Sequence, residues 1–78
     1  MSAPDEILVD ARGHRCPTPT LRLQRALREA LPGQRVRLLA DDPLAGIDVP
    51  HFLQNHGGRL IESSAEGAVL SFLVEAAS

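Results

Sequence analysis

Two prolines one residue apart, Pro17 and Pro19, constrain the 78-residue chain more than any other feature. Proline holds φ near about −65° and lacks an N–H, so such a pair is excluded from a helix interior or a central strand. Both fit the first turn of a helix, where N–H groups have no intrahelical partner anyway. The run that follows, Thr20 to Leu31, contains neither Gly nor Pro, and Leu23, Leu27, Ala30 and Leu31 recur at helical spacing. The pattern predicts a first helix from about Pro17 to Leu31, buried along those four positions and stopped by Pro32-Gly33. Leu21, Arg25 and Arg28 fall on a different stripe, with Arg22 beside them.

The same proline pair places Cys16, the chain's single cysteine, at or next to the N-cap of that helix. Helix N-termini carry partial positive charge and free N–H groups that favour an anion, and a thiolate is one. Thr18 and Thr20 supply the nearest N–H groups and two hydroxyls, while Pro17 and Pro19 donate nothing. Arg12 and Arg15 add positive charge, and His14 stands two residues away as a candidate base. Such surroundings lower a cysteine pKa, so the expectation is a partly exposed, activated Cys16. On the residues alone, Cys16 could still be a small buried hydrophobe.

Upstream, Glu6-Ile7-Leu8-Val9-Asp10 is short and aliphatic and reads as a buried first strand feeding the Cys16 loop. Downstream, Arg35 to Ala40 alternates, with Val36, Leu38 and Ala40 on one face and Arg35 and Arg37 on the other. A strand, a helix and a strand joined by short turns set the two strands parallel, with Cys16 at the carboxyl end of the first. In Asp41-Asp42-Pro43, Asp42 reads as an N-cap and Pro43 as a first helical residue, and adjacent carboxylates there suit capping better than acid/base work. Gly46 and Pro50 argue against a continuous helix, so a turn followed by a second helix from about Val49 to His56 is expected, with Val49, Phe52, Leu53 and His56 as its apolar side. Arg59 to Ser64 and Ala68 to Glu75 read as a hairpin around Ala65-Glu66-Gly67, with Leu70, Phe72 and Val74 on one face. The order β-α-β-α-β-β predicts an α/β (α+β) two-layer sandwich in one domain, a four-stranded mixed sheet with two helices on one face. Residues 1–5 are expected to be disordered.

A chain of 8.4 kDa with one cysteine closes no internal disulfide, so packing alone or self-association must hold it. A net charge of −2, two Phe and no Trp or Tyr argue against direct nucleic-acid binding. Five of the eight arginines nevertheless lie between Arg12 and Arg28, which makes the thiol side basic. The chain has no lysine, which removes amine nucleophiles. His14, Cys16, His51 and His56 follow no closed metal-site spacing, and no metal is expected. No apolar run approaches membrane-spanning length and Met1 to Glu6 is unlike a signal peptide, so a cytoplasmic location is expected.

Gly13-His14-Arg15-Cys16-Pro17-Thr18-Pro19, then Ala40-Asp41-Asp42-Pro43, Asp48-Val49-Pro50 and the closing hairpin resemble the TusA/SirA family of small sulfur-carrier proteins in order and spacing, from about Leu8 to Val74. His14 departs from the aliphatic residue usual there. The resemblance implies that Cys16 accepts a sulfane sulfur as a persulfide and passes it to a partner's cysteine, with no cofactor beyond that covalent sulfur. It implies a donor of the cysteine desulfurase or rhodanese type and an acceptor that is another relay protein, serving tRNA thiolation, cofactor assembly or sulfur oxidation. Partner-facing positions carried over from the family are Leu21, Arg25, Arg28, Asp41 and Asp42, on a protein expected to be monomeric. The rival reading is a non-catalytic or redox-regulatory module that docks partners through the basic surface of the first helix.

Overall fold

The computed structural model describes residues 6–15 and 18–77. Cys16, Pro17 and the N-terminal stretch 1–5 of the sequence expectations lie outside the described residues. The elements run β1 (Glu6–Asp10), α1 (Thr18–Glu29), β2 (Arg35–Ala40), α2 (Ala45–His56), β3 (Arg59–Glu66) and β4 (Val69–Glu75). They form one four-stranded sheet in the order β1-β2-β4-β3. β1 and β2 are parallel, whereas β4 runs antiparallel to both β2 and β3, so the sheet is mixed as expected.

Alternation along the strands decides which face is covered. Val36 pairs with Ile7 and Val74, and Leu38 pairs with Val9 and Phe72, which puts one aliphatic row across three strands. That row packs with Leu23 of α1 and with Ala45, Val49, Phe52 and Leu53 of α2 in a single core. Full burial of one such side chain stabilises by about 1.5–3 kcal/mol. Pro19 joins the largest fully buried side chains, so it fills space beneath the helix as well as starting it.

On the opposite sheet face one side chain spans all four strands. Arg37, in β2, donates from Nε to Glu6 Oε2 of β1 at 2.9 Å and from Nη1 to Ser71 Oγ of β4 at 2.8 Å. Its Nη2 lies 3.6 Å from Glu62 Oε1 of β3, so the guanidinium touches a residue of every other strand. The Glu6 and Glu62 carboxylates raise the Arg37 pKa, the Glu6 hydrogen bond contributing most.

Five sequence expectations need correction. β1, expected as a buried strand, is an edge strand in which only Val9 is buried and Leu8 is 61% exposed. α1 ends at Glu29, and Leu31 is 71% exposed beyond it, so the buried stripe loses its last member. Pro32-Gly33 acts two residues further on, in a turn that returns the Gln34 N–H to the Leu31 carbonyl at 3.0 Å. α2 begins at Ala45 rather than Val49 and runs through Gly46 and Pro50 without a break. The carbonyl that Pro50 leaves without its intrahelical donor belongs to Gly46, which is exposed and without a side chain, so water can solvate it. Burial of Ala45, Val49, Phe52 and Leu53 outweighs that lost bond. His56, expected on the apolar side, is exposed and stacks on Phe52 instead. The hairpin is also tighter than expected, since Glu66 pairs with Val69 and only Gly67 and Ala68 turn, with Gly67 at φ +61°.

The Arg37 brace has a measurable consequence. Arg37→Met keeps the aliphatic stem and removes the hydrogen bonds, and is expected to cost about 1–2 kcal/mol of stability. A urea midpoint identical to that of the unchanged protein would show that the brace holds nothing.

Candidate functional site

The loop that leaves β1 is built by backbone bonds at both ends. The Ala11 N–H reaches the Leu39 carbonyl at 2.8 Å and extends the parallel pairing by one residue. The chain then turns at once, with the His14 N–H on the Ala11 carbonyl at 3.2 Å and Gly13 at φ +86°, a left-handed conformation that side chains rarely adopt. At its far end the Thr18 N–H donates to the Arg15 carbonyl at 2.9 Å, and α1 begins. Thr18 therefore spends its N–H on the chain itself, a correction to the expectation that this group is available to an anion.

Asp41 follows β2 directly and holds the loop from across the sheet end. Both of its carboxylate oxygens lie 3.0 Å from the Gly13 nitrogen, a contact spanning 28 residues. Asp42 does the neighbouring task, since its Oδ1 accepts the Leu44 N–H at 2.9 Å and its carbonyl accepts the Ala45 N–H at 2.9 Å. Asp42 thus closes the turn that precedes α2, and the expectation of Asp42 as N-cap is corrected: the N-cap is Leu44, which makes no side-chain cap bond. The two acids have separate partners in the loop and the helix entrance.

Charge around the loop is less free than the arginine count suggests. Arg12 grips Asp10 with Nε to Oδ1 at 2.8 Å and Nη2 to Oδ2 at 2.6 Å, and Arg22 donates from Nη1 to the Asp10 carbonyl at 2.7 Å. The Arg12 side-chain hydrogen bond is the main reason the Asp10 carboxyl is held down from 3.8 to about 2. In return, the Asp10 hydrogen bond raises the Arg12 pKa. Asp10 is therefore a residue that sequence reasoning missed, although Asp10-X-Arg12 at the end of a strand is the signal that could have found it. His14 and Arg15 are both exposed, and the Arg15 side chain makes no ion pair or hydrogen bond with a described residue.

On α1, Thr20 Oγ1 is buried and has no hydrogen-bond partner among the described residues. Leu21 is 56% exposed, and Arg25 is tied loosely to Glu29 at 3.5 Å with both side chains mostly in solvent. Arg28 has no partner among the described residues. Two apolar residues that sequence reasoning did not single out, Leu44 and Ile47, are exposed by 54% and 69% at the start of α2. The parallel pairing sends both helices off from the same end of the sheet, so Leu44 and Ile47 stand at the end where the Gly13 loop is clamped. Among the described residues no group of three or more His, Cys, Asp and Glu side chains gathers as a metal site would require, and no helix is long and apolar enough to cross a membrane.

This is a small mixed-sheet, two-layer α+β protein whose loop and helix start stand clamped at one sheet end. The same architecture occurs in the crystal structure of a SirA-like protein from Desulfitobacterium hafniense, with a TM-score of 0.78 over 92% of this chain and 99% of that one at 24% identity. At that identity the likeness concerns the fold. In sequence, the chain is 38% identical over 68 residues to a candidate sulfur carrier protein of Archaeoglobus fulgidus, covering 86% of this chain and 88% of the relative. Residues 7–76 match the family model of the sulfurtransferase TusA. The chain belongs to the TusA family.

Two predictions test the clamp. Asp41→Ala is expected to speed hydrogen exchange at the Gly13 amide about five- to tenfold, with partial restoration by Asp41→Asn, whose side-chain oxygen can still accept. Unchanged exchange would remove Asp41 from the account. The second concerns acid. Because the folded Asp10 pKa lies below its usual 3.8, the Asp10–Arg12 pair stabilises the loop fully above that value and is lost as pH falls toward about 2. An acid titration followed by NMR should shift the Arg12 side-chain resonances in that window and leave them unchanged between pH 5 and 7.

Proposed function

We propose that the protein is a sulfur relay in which Cys16 carries sulfane sulfur as a persulfide and hands it to a cysteine of a partner protein. The observation that carries the reading is the clamp. In a TusA-family chain with a single cysteine, the loop leading to that cysteine is held by Asp41 against the carboxyl ends of two parallel strands. Open sheets with parallel strands put their chemistry at that end.

The transfer needs one thiolate and no change of cofactor. The Cys16 thiolate attacks the outer sulfur of a donor persulfide, a new Sγ–S bond forms, the donor's S–S bond breaks and the donor cysteine leaves as a thiolate. In the second half an acceptor thiolate attacks the outer sulfur on Cys16, and Cys16 leaves as the thiolate. Electrons balance because each step exchanges one S–S bond for another. Arg15, exposed and without an ion-pair partner among the described residues, supplies positive charge that favours the thiolate, whereas Arg12 is largely neutralised by Asp10. Thr20 Oγ1, buried and without a partner among the described residues, is a hydroxyl donor held in reserve at the same helix start. His14 is exposed beside the cysteine in sequence and serves as a proton acceptor for the thiol.

The partners in this reading are a donor of the cysteine desulfurase or rhodanese class and an acceptor relay protein, met by a cytoplasmic monomer. Leu21, Leu44 and Ile47 provide apolar contact at or near the transfer end, with Arg25 on the same helix as a charged rim.

Intact mass after incubation with rhodanese and thiosulfate, or with a cysteine desulfurase and cysteine, is expected to show a gain of one sulfur that reductant removes and Cys16→Ser abolishes. Sulfur transfer that persists in Cys16→Ser would end the relay reading, and a silent Cys16→Ser with partner binding intact would favour a docking module. The charge argument has its own test. Arg15→Gln should slow Cys16 alkylation at neutral pH about two- to threefold, and Arg12→Gln less. Equal rates in all three proteins would locate the activation in the helix end rather than in arginine charge.

A further inference from the structure

A groove of about 310 Å³ lies between the two helices, away from the start of α1 at Thr18. Its α1 wall is Gln24, Leu27 and Arg28, which begin six residues beyond Thr18 and therefore stand about 9–15 Å further along the helix axis. Its α2 wall is aromatic. The exposed His56 ring stacks on the buried Phe52 ring, with centroids 4.5 Å apart and planes 18° from parallel. The end wall is main chain, because Gly57 and Gly58 both adopt positive φ, at +85° and +92°.

Gly58 is the position that keeps the groove's base closed. A Cβ there would come within 3.3 Å of Leu53 Cδ2 and 3.6 Å of Leu27 Cδ1, so the two leucines already fill the space beneath the backbone. The groove above it is accordingly a shaped surface depression at the lower end of ligand-site volumes. Its charge is one-sided. Among the described residues, Arg28 faces it without a partner and no lining residue is acidic. The neighbouring carboxylates have other partners, Glu29 with Arg25 at 3.5 Å and Glu75 with Arg59 at 3.1 Å.

We propose that this groove binds a small planar aromatic acid, whose ring lies against the Phe52–His56 stack and Leu27 and whose anionic group meets the Arg28 guanidinium. The aromatic wall rewards a flat apolar body, since offset stacking adds to area burial. The unpaired guanidinium rewards a carboxylate over a neutral group of the same shape. Gln24 adds an amide that can donate to the same anion. The site is separate from the clamped Gly13 loop and the start of α1.

The test is an NMR titration of the ¹⁵N-labelled full chain with 2-naphthoate, run beside the neutral 2-naphthamide. Saturable shifts are expected at the amides of Gln24, Arg28, His56, Gly57 and Gly58, with a Kd of about 0.1–1 mM for a ligand of this size. The amide analogue should bind about fivefold more weakly, and Arg28→Gln should remove most of the preference for the acid. Equal binding of acid and amide, shifts that centre on other residues, or no saturable shift up to the probe's solubility would each overturn the proposal. Arg28 is exposed, so its replacement leaves the fold intact, and an unchanged spectrum outside the groove verifies this.

Discussion

The parallel pairing of β1 with β2 is the constraint from which the rest of the structure follows. Two parallel neighbours cannot be joined by a tight turn, so the chain must travel back along the sheet, and α1 is that return. The crossover brings the carboxyl ends of both strands to one edge. There the residue after β2, Asp41, meets the loop after β1 at Gly13. β4 then adds antiparallel to β2, β3 pairs outside it, and the helix-facing row of aliphatic side chains is complete.

A small core leaves little surplus, and the protein distributes its polar bonds accordingly. Arg37 ties all four strands on the face the helices leave open. The Asp10–Arg12 pair and the Arg22 contact to the Asp10 carbonyl brace the exit of β1. Each of these contacts is partly exposed and individually modest. Their placement matters more than their strength, because they hold sheet edges and the loop at points where apolar packing does not reach.

This arrangement gives the protein two distinct ends. At one, a clamped loop, a helix start and exposed apolar side chains from α2 suit brief contact with other proteins. At the other, the helices part over a closed aliphatic base and leave a basic, aromatic-walled groove. A carrier that must present a reactive atom to several partners gains from such separation, since the groove can be occupied without covering the loop.

Much of this was legible in the residues. Alternation identified β2 and β4 and their buried faces, the Pro17-Thr18-Pro19 run marked the start of α1, and the Cys-Pro and Asp-Asp-Pro segments pointed to the family, because each is a local pattern with a local physical cause. Local rules failed where distant packing outweighed them. Pro50 and Gly46 sit inside α2 because burial of Ala45, Val49, Phe52 and Leu53 exceeds the cost of one missing hydrogen bond. Leu31 is exposed because α1 ends before reaching it. The roles of Asp41 and Asp10 were also hidden, the first because its partner is 28 residues away, the second because only the folded loop brings Arg12 back onto it. The sequence by itself thus determined the order of elements, the single thiol and the family. Only the tertiary structure decided which charges are spent, which loop is clamped and where a groove opens, because those depend on contacts between residues that the chain keeps far apart.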